Sequence, residues 1–254
     1  MIDTHCHLYA PRDFPDIRAT IAEAQSAGVE RMVVIGVNPK TSELAVKLAD
    51  EHPEIFAVVG HHPTSTATFQ EADLKLYAEL YVHPKVLAIG EIGLDYYWDK
   101  ATPEQQDRAL RAQLELAESL GAPIVYHCRD AYDALADVLE SRDQPNPWII
   151  HCFGGQAEFA ARVNRDQTFF GIGGPLTYKK SDDMREWVKQ MDRSKCLIET
   201  DSPYLSPVPF RGKPNQPAYV RFVAEEIARL WEVSLEAVSA QTSENAARAF
   251  PKLG

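Results

Sequence analysis

The chain holds only four cysteines in 254 residues. That is too few for a disulfide framework of this size, and it predicts a reducing compartment, the cytoplasm. No apolar run approaches the ~18 residues a membrane helix needs, so no membrane partner is expected. No basic stretch followed by an apolar core opens the chain, so no export signal is read. Low-complexity tracts and short-period repeats are absent. Positive charge is scarce: 26 Lys and Arg stand against 37 Asp and Glu, a net charge of −11. Such a chain is not a general nucleic-acid binder, because that binding neutralises phosphates with Lys and Arg. Any nucleic acid must be held locally, by metal ions and a few basic side chains. No Gly-rich phosphate fingerprint follows the first strand, which counts against a dinucleotide-binding fold.

What is present is regular. Hydrophobic content of 45% and charged content of 25% are ordinary for a globular chain. Eight short apolar runs suit buried parallel strands. They are the opening Met1 to Leu8, then Arg31 to Gly36, Ile55 to Gly60, Val86 to Glu91, Pro123 to His127, Trp148 to His151, Thr168 to Ile172 and Lys195 to Asp201. Helical segments alternate with them: Ile17 to Ala27, Thr41 to Glu51, Glu71 to Tyr81, Pro103 to Leu120, Tyr132 to Ser141, Gln156 to Asn164 and Asp182 to Met191. A Pro/Asn loop follows Ser141, and two further helices, Pro217 to Trp231 and Leu235 to Phe250, finish the chain. Thr102 and Pro103 form a helix start, and Gly28 and Gly121 form helix stops. Eight such alternations without a linker predict the α/β class: one (β/α)8 TIM-type barrel domain over residues 1–254.

In a parallel barrel the active site forms at the C-terminal ends of the strands. His5 and His7 end the first strand, and period 2 puts both on one face. His62 ends the third, Glu91 the fourth, His127 the fifth, His151 the sixth and Asp201 the eighth. Polar residues that merely mark strand ends account for one or two of these. They do not explain histidine or carboxylate at six ends of eight. His52 and His83, each before proline in helix-to-strand connections, read as surface residues. Seven converging candidates exceed what one tetrahedral ion requires, so two ions sharing a bridging carboxylate are expected, with Glu91 as the bridge. Adjacency in the barrel assigns His5, His7 and Asp201 to one ion, and His127 and His151 to the other. Mixed His and carboxylate ligation suits Zn, Mn, Fe or Ni, while Mg prefers oxygen-rich sites. Cys6, Cys128 and Cys152 each follow a histidine, so they are expected to face outward beneath helices as small apolar residues.

Taken together, His-Cys-His-Leu, Gly-His-His-Pro, Gly-Glu-Ile-Gly-Leu-Asp-Tyr, His-Cys-Arg-Asp-Ala, His-Cys-Phe-Gly-Gly and Glu-Thr-Asp-Ser-Pro-Tyr-Leu resemble the TatD-type metal-dependent deoxyribonucleases of the amidohydrolase superfamily. The resemblance runs in order from residue 1 to about residue 217. It implies a TIM-type barrel, a binuclear centre of divalent ions and hydrolysis of DNA phosphodiesters, often from the 3′ end. It also implies ligands at His5, His7, Glu91, His127, His151 and Asp201. Gly154 stands where the family commonly has Ser. His61 fills an often apolar position, and the family's His before Pro maps to His62.

Two ions ~3.5–4 Å apart activate a water and neutralise phosphoryl charge. Asp201 is the candidate general base. His62 is the candidate that hydrogen-bonds the phosphate or protonates the leaving oxygen. Glu199 and Asp95 read as supports for ligands. Arg129, Arg211 and Lys213, with Lys179 and Lys180, are candidates to hold the phosphates of a DNA strand end. Tyr96, Tyr97 and Trp98 are candidates to stack on bases. No obligate protein partner is inferred. The rival reading is a related hydrolase cleaving another phosphoester, an amide or a lactone. Many such enzymes bridge their metals with a carboxylated Lys ending the fourth strand; here Glu91 holds that place, and Lys85 lies at the wrong end. A non-catalytic metal-binding scaffold is disfavoured by the complete ligand set.

Overall fold

The computed structural model describes residues 1–142 and 145–254. Asp143 and Gln144, part of the expected Pro/Asn loop, lie outside the described residues. The eight strands are β1 (Ile2–Cys6), β2 (Arg31–Ile35), β3 (Ile55–Val59), β4 (Val86–Asp95), β5 (Ile124–Arg129), β6 (Trp148–Ile150), β7 (Thr168–Ile172) and β8 (Cys196–Ile198). Each pairs in parallel with the next, in the order of the chain. The ring closes just beyond β8. Asp201 N–H donates to His5 O at 2.9 Å, and His7 N–H donates to Ser202 O at 2.8 Å. The TIM-type barrel is therefore the observed fold.

Local sequence explains most helix ends. Helix α2 (Pro39–Glu51) is capped by Asn38, whose side chain accepts from Thr41 N–H. It starts two residues before Thr41, because Pro39 occupies the first turn, where a missing N–H costs nothing. Helix α4 (Pro103–Leu120) has a Thr102–Gln105 capping box and ends at Gly121, φ 62°. Pro217 to Tyr219 forms a 3-10 turn, and helix α8 (Val220–Trp231) follows it.

Strand parity sorts the core into two layers. Met32, Val34, Ile124, Tyr126, Trp148, Ile150 and Phe170 face outward into the layer beneath the helices. Val33, Ile35, Val58, Leu87, Val125, Ile149, Phe169 and Leu197 face inward. The inner layer also contains Ala246, Ala249 and Phe250, from the end of helix α9 (Leu235–Ala249) and just beyond it, and Leu253. These four residues are at most 1% exposed, so the barrel is sealed at the end opposite the histidines. Burying this apolar set, at roughly 25 cal/mol per Å² removed from water, is what holds the floor in place.

Register shifts fall in β1 and twice in β4, where Leu87 is extra against β3. Asp3 pairs with Met32 and Cys6 with Val34, so Thr4 and His5 oppose Val33 alone. Gly90 pairs with Val125 and Ile92 with Tyr126, leaving Glu91 without a partner in β5. A bulge of this kind re-aims the side chain it carries. The Gly90–Glu91 peptide is cis. Strand β4 was expected to stop at Glu91, but it continues to Asp95. Strand β8 was expected to run to Asp201, but it ends at Ile198. There the backbone turns away to meet β1, and Asp201 takes φ 55°.

Candidate metal centre

The inward rows extend past the apolar layer into polar residues. Val125 leads to His127, Ile149 to His151, Phe169 to Gly171, and Leu197 to Glu199, each two residues on and so on the same face. A Cβ on Gly171 would lie 2.1 Å from Glu199 Oε2. The missing side chain therefore makes the space that Glu199 fills.

All six expected ligands and His62 come together. Glu91 lies at the centre, with its side chain 3% exposed. Its Oε2 is 3.3 Å from His5 Nε2. Its Oε1 is 2.8 Å from His127 Nδ1, 3.6 Å from His62 Nε2 and 3.8 Å from His151 Nε2. Asp201 Oδ1 stands 3.3 Å from His7 Nε2 and 3.8 Å from His5 Nε2. The ligand atoms group as His5–His7–Asp201, His62–Glu91–His127 and His5–His151–Glu199. His127 and His151, assigned to one ion by barrel adjacency, both face Glu91 Oε1, with ring centroids 6.3 Å apart, a span that two ligands of one ion can bridge; His151 also stacks on His5 at 3.4 Å.

Hydrogen bonding decides which ring nitrogens have a lone pair to offer. His7 Nδ1–H donates to Ile35 O at 3.0 Å, which leaves Nε2 facing Asp201. His127 lies between two carboxylates, Nε2 2.9 Å from Asp95 Oδ2 and Nδ1 2.8 Å from Glu91 Oε1; an ion at Nδ1 would leave the ring proton on Nε2, donating to Asp95. His151 Nδ1 stands 2.8 Å from Glu199 Oε1 as an ion-pair contact out of hydrogen-bond geometry, while that oxygen accepts from Cys152 N–H at 2.7 Å; Nε2 faces the centre. Metal-binding histidines show this arrangement, with one nitrogen held by an acceptor and the other directed at the ion. His62 is reversed. Its Nδ1 accepts from Thr64 N–H at 3.1 Å, so the proton of the neutral ring sits on Nε2, which points inward. Neither nitrogen of His5 has a hydrogen bond in good geometry, although the ring is buried. An unsatisfied buried imidazole is costly, and a divalent ion beside it removes that cost, so the residues fit a metal.

The charges fit as well. Burial pushes the Glu91 carboxyl up, but His151, His62, His5 and the His127 hydrogen bond outweigh it and hold it well below the usual range. Burial also opposes ionisation of Asp201, and the His7 hydrogen bond with three nearby imidazoles overrides it. For His151, burial disfavours the charge, but Glu199, Glu91 and Asp201 push its pKa up to about 10. Burial and the neighbouring His127 pull His62 down to about 3.

The other candidates lie outside this cluster. His61 is buried and bound to Ser65 O and Tyr77, so it has a structural role. His83 pairs with Asp50 at the surface. Arg129, at the end of β5, and Arg211 and Lys213, on the loop after β8, are exposed at the mouth, and the Arg211 guanidinium rests 4.1 Å from the Tyr178 ring centroid. Cys6 packs in the outer layer and Cys128 against it, as expected. Cys152 does not. Strand β6 stops at Ile150, and Cys152 takes φ 47° in the turn beyond it, so strand alternation no longer applies.

A sequence profile described as TatD related DNase matches residues 2–251. The chain belongs to the TatD related DNase family. It is 41% identical over 251 residues to the uncharacterized metal-dependent hydrolase YabD of Bacillus subtilis (strain 168), covering 98% of each chain. It is 33% identical over 240 residues to the 3′-5′ ssDNA/RNA exonuclease TatD of Escherichia coli (strain K12), covering 90% of each. The crystal structure of YjjV, a TatD homologue from E. coli K12, superposes with a TM-score of 0.93 at 28% identity, over 99% of this chain and 98% of that one. The chain is thus a metal-dependent hydrolase of the TatD type. Among the described residues, no helix is long and apolar enough to cross a membrane.

Proposed function

We propose that the chain is a cytoplasmic 3′–5′ exodeoxyribonuclease with a binuclear metal centre. The observation that carries the reading is Glu91, whose two oxygens face two separate ligand groups. His5, His7 and Asp201 would hold one ion, and His127 and His151 would hold the other with Glu91; His151 Nε2 lies within reach of both carboxylates. When bound, the two divalent ions acidify a water and offset charge on the phosphoryl oxygens. Asp201 is ionised and partly open to solvent, so it would serve as the group that accepts the water's proton. His62 presents Nε2–H towards the same centre and donates to the phosphate or the leaving oxygen. Glu199 and Asp95 hold His151 and His127 in their tautomers. Arg211 and Lys213, on the loop after β8, meet phosphates of the incoming strand.

The similarity to a protein named as a 3′-5′ exonuclease supports this substrate. The test uses metal-stripped protein resupplied with Mg, Mn or Zn, wild type beside Glu91→Ala, on single-stranded DNA. Metal-dependent loss of 3′-terminal nucleotides, abolished in the variant, is expected. Intact DNA in every metal, with cleavage of a small phosphoester or amide, would move the substrate to the rival class.

A further inference from the structure

Seven large apolar side chains are exposed among the described residues, and six of them lie on the loops after β4 and β8, around the mouth. Three are consecutive: Tyr96, Tyr97 and Trp98 are 42, 52 and 48% exposed. Aromatics that serve the core behave differently; Tyr126, Trp148 and Phe153 are fully buried. The Tyr97 and Trp98 rings meet edge to face at 4.9 Å. The Arg129 guanidinium carbon lies 3.6 Å from the Tyr97 ring centroid and 5.8 Å from that of Trp98. Arg129 makes no ion pair or side-chain hydrogen bond among the described residues. Its donors are therefore available to an anion, in a chain with a large excess of acid.

The cluster is tied to the metal centre through one side chain. Asp95 Oδ1 accepts from the backbone N–H groups of Tyr97 and Trp98, both at 3.0 Å. Its other oxygen accepts from His127 at 2.9 Å. Arg129 O accepts from Tyr96 N–H at 2.9 Å, joining the loop to β5 two residues past His127.

We propose that Tyr97, Trp98 and Arg129 form a platform for the nucleotide next to the scissile phosphodiester of a single-stranded nucleic acid. A base stacks on the aromatic rings and Arg129 takes the adjoining phosphate. Asp95 is a positioning residue that fixes the platform relative to His127. Half-exposed aromatic rings, one carrying an unpaired guanidinium on its face, provide what a base and its phosphate require. The assignment rests on the nuclease reading above and adds the subsite to it.

Trp98 reports on the site, since Trp148 and Trp231 are buried and Trp187 packs against the core. Metal-loaded protein is titrated with an uncleavable phosphorothioate decamer of deoxyadenylate, and with an abasic decamer of the same backbone. The bases are expected to quench Trp98 fluorescence and the abasic strand is not; Trp98→Phe removes the signal. Tyr97→Ala is expected to weaken binding of the base-bearing strand by about five- to 100-fold and to change the abasic strand less than twofold. Equal responses to both strands, or no response, overturn the platform. So does self-association at assay concentration that shields Trp98. An ordinary phosphodiester decamer is digested in parallel. Cleavage without base-dependent quenching keeps the nuclease and removes the platform. Base-dependent quenching without cleavage leaves a single-strand binding surface and overturns both the nuclease and the platform's place beside a scissile phosphodiester.

Discussion

Replacing His62 is expected to slow the reaction without removing metal. The basis is the Thr64 N–H that donates to His62 Nδ1. It uses the lone pair there and leaves the proton on Nε2, so His62 faces the centre as a donor and has no lone pair for an ion. Burial beside His127, with a pKa near 3, keeps the ring neutral at working pH. A hydrogen bond from a neutral donor to a charged phosphoryl or leaving oxygen contributes ~1.5–3 kcal/mol, about 10- to 150-fold in kcat. Full general-acid catalysis contributes about 10²–10⁴ and requires a better acid than a neutral imidazole. His62→Gln keeps an amide N–H and is expected to lose about tenfold; His62→Ala, with no donor, is expected to lose about 100-fold. Metal per chain, measured by inductively coupled plasma spectrometry after desalting, is expected to equal wild type in both. If both variants lose about one ion per chain, and excess metal restores their rate, His62 is a ligand and the tautomer argument is wrong.

Two more outcomes follow from the same geometry. Glu199→Gln removes the charge beside His151 and is expected to weaken metal binding about tenfold, with Glu199→Ala nearer 100-fold. Competition with a chromophoric chelator measures this, and unchanged affinity in both variants would show that Glu199 orients nothing. In metal-stripped protein, the unfolded chain protonates His62 near pH 6.5 and the folded chain only near pH 3. Stability from this group is therefore present above pH 6.5 and falls by about 1.4 kcal/mol for each pH unit below it. Denaturant titrations from pH 6.5 to 5 should show wild type losing about 2 kcal/mol more than His62→Gln; parallel losses would contradict the buried neutral ring.

Much of this was legible because it depends on short range. Apolar runs, the Thr102–Pro103 start and the Gly121 stop are local signals, and they located the strands and helices to within a few residues. His127 and His151 could be placed inside the mouth by counting two from an inward apolar residue. Pairing between strands was not legible. The extra residues at His5 and Glu91 depend on which neighbour each backbone bonds. The contact of His127 with Asp95 depends on β4 running four residues beyond its expected end. The match of Gly171 to Glu199 joins two strands, and nothing near either residue announces it. Cys152 followed the alternation rule only on paper, because its strand had already ended.

The floor made by Ala249, Phe250 and Leu253 has a consequence for how a polymer is handled. The barrel is filled by its inward apolar layer as well as closed below, so the cluster is approached from one side alone and no strand passes through the barrel. On the exonuclease reading proposed above, the released nucleotide would leave by the opening that the strand fills, so each turnover would include a retreat of the strand and the enzyme would work by repeated short visits to an end.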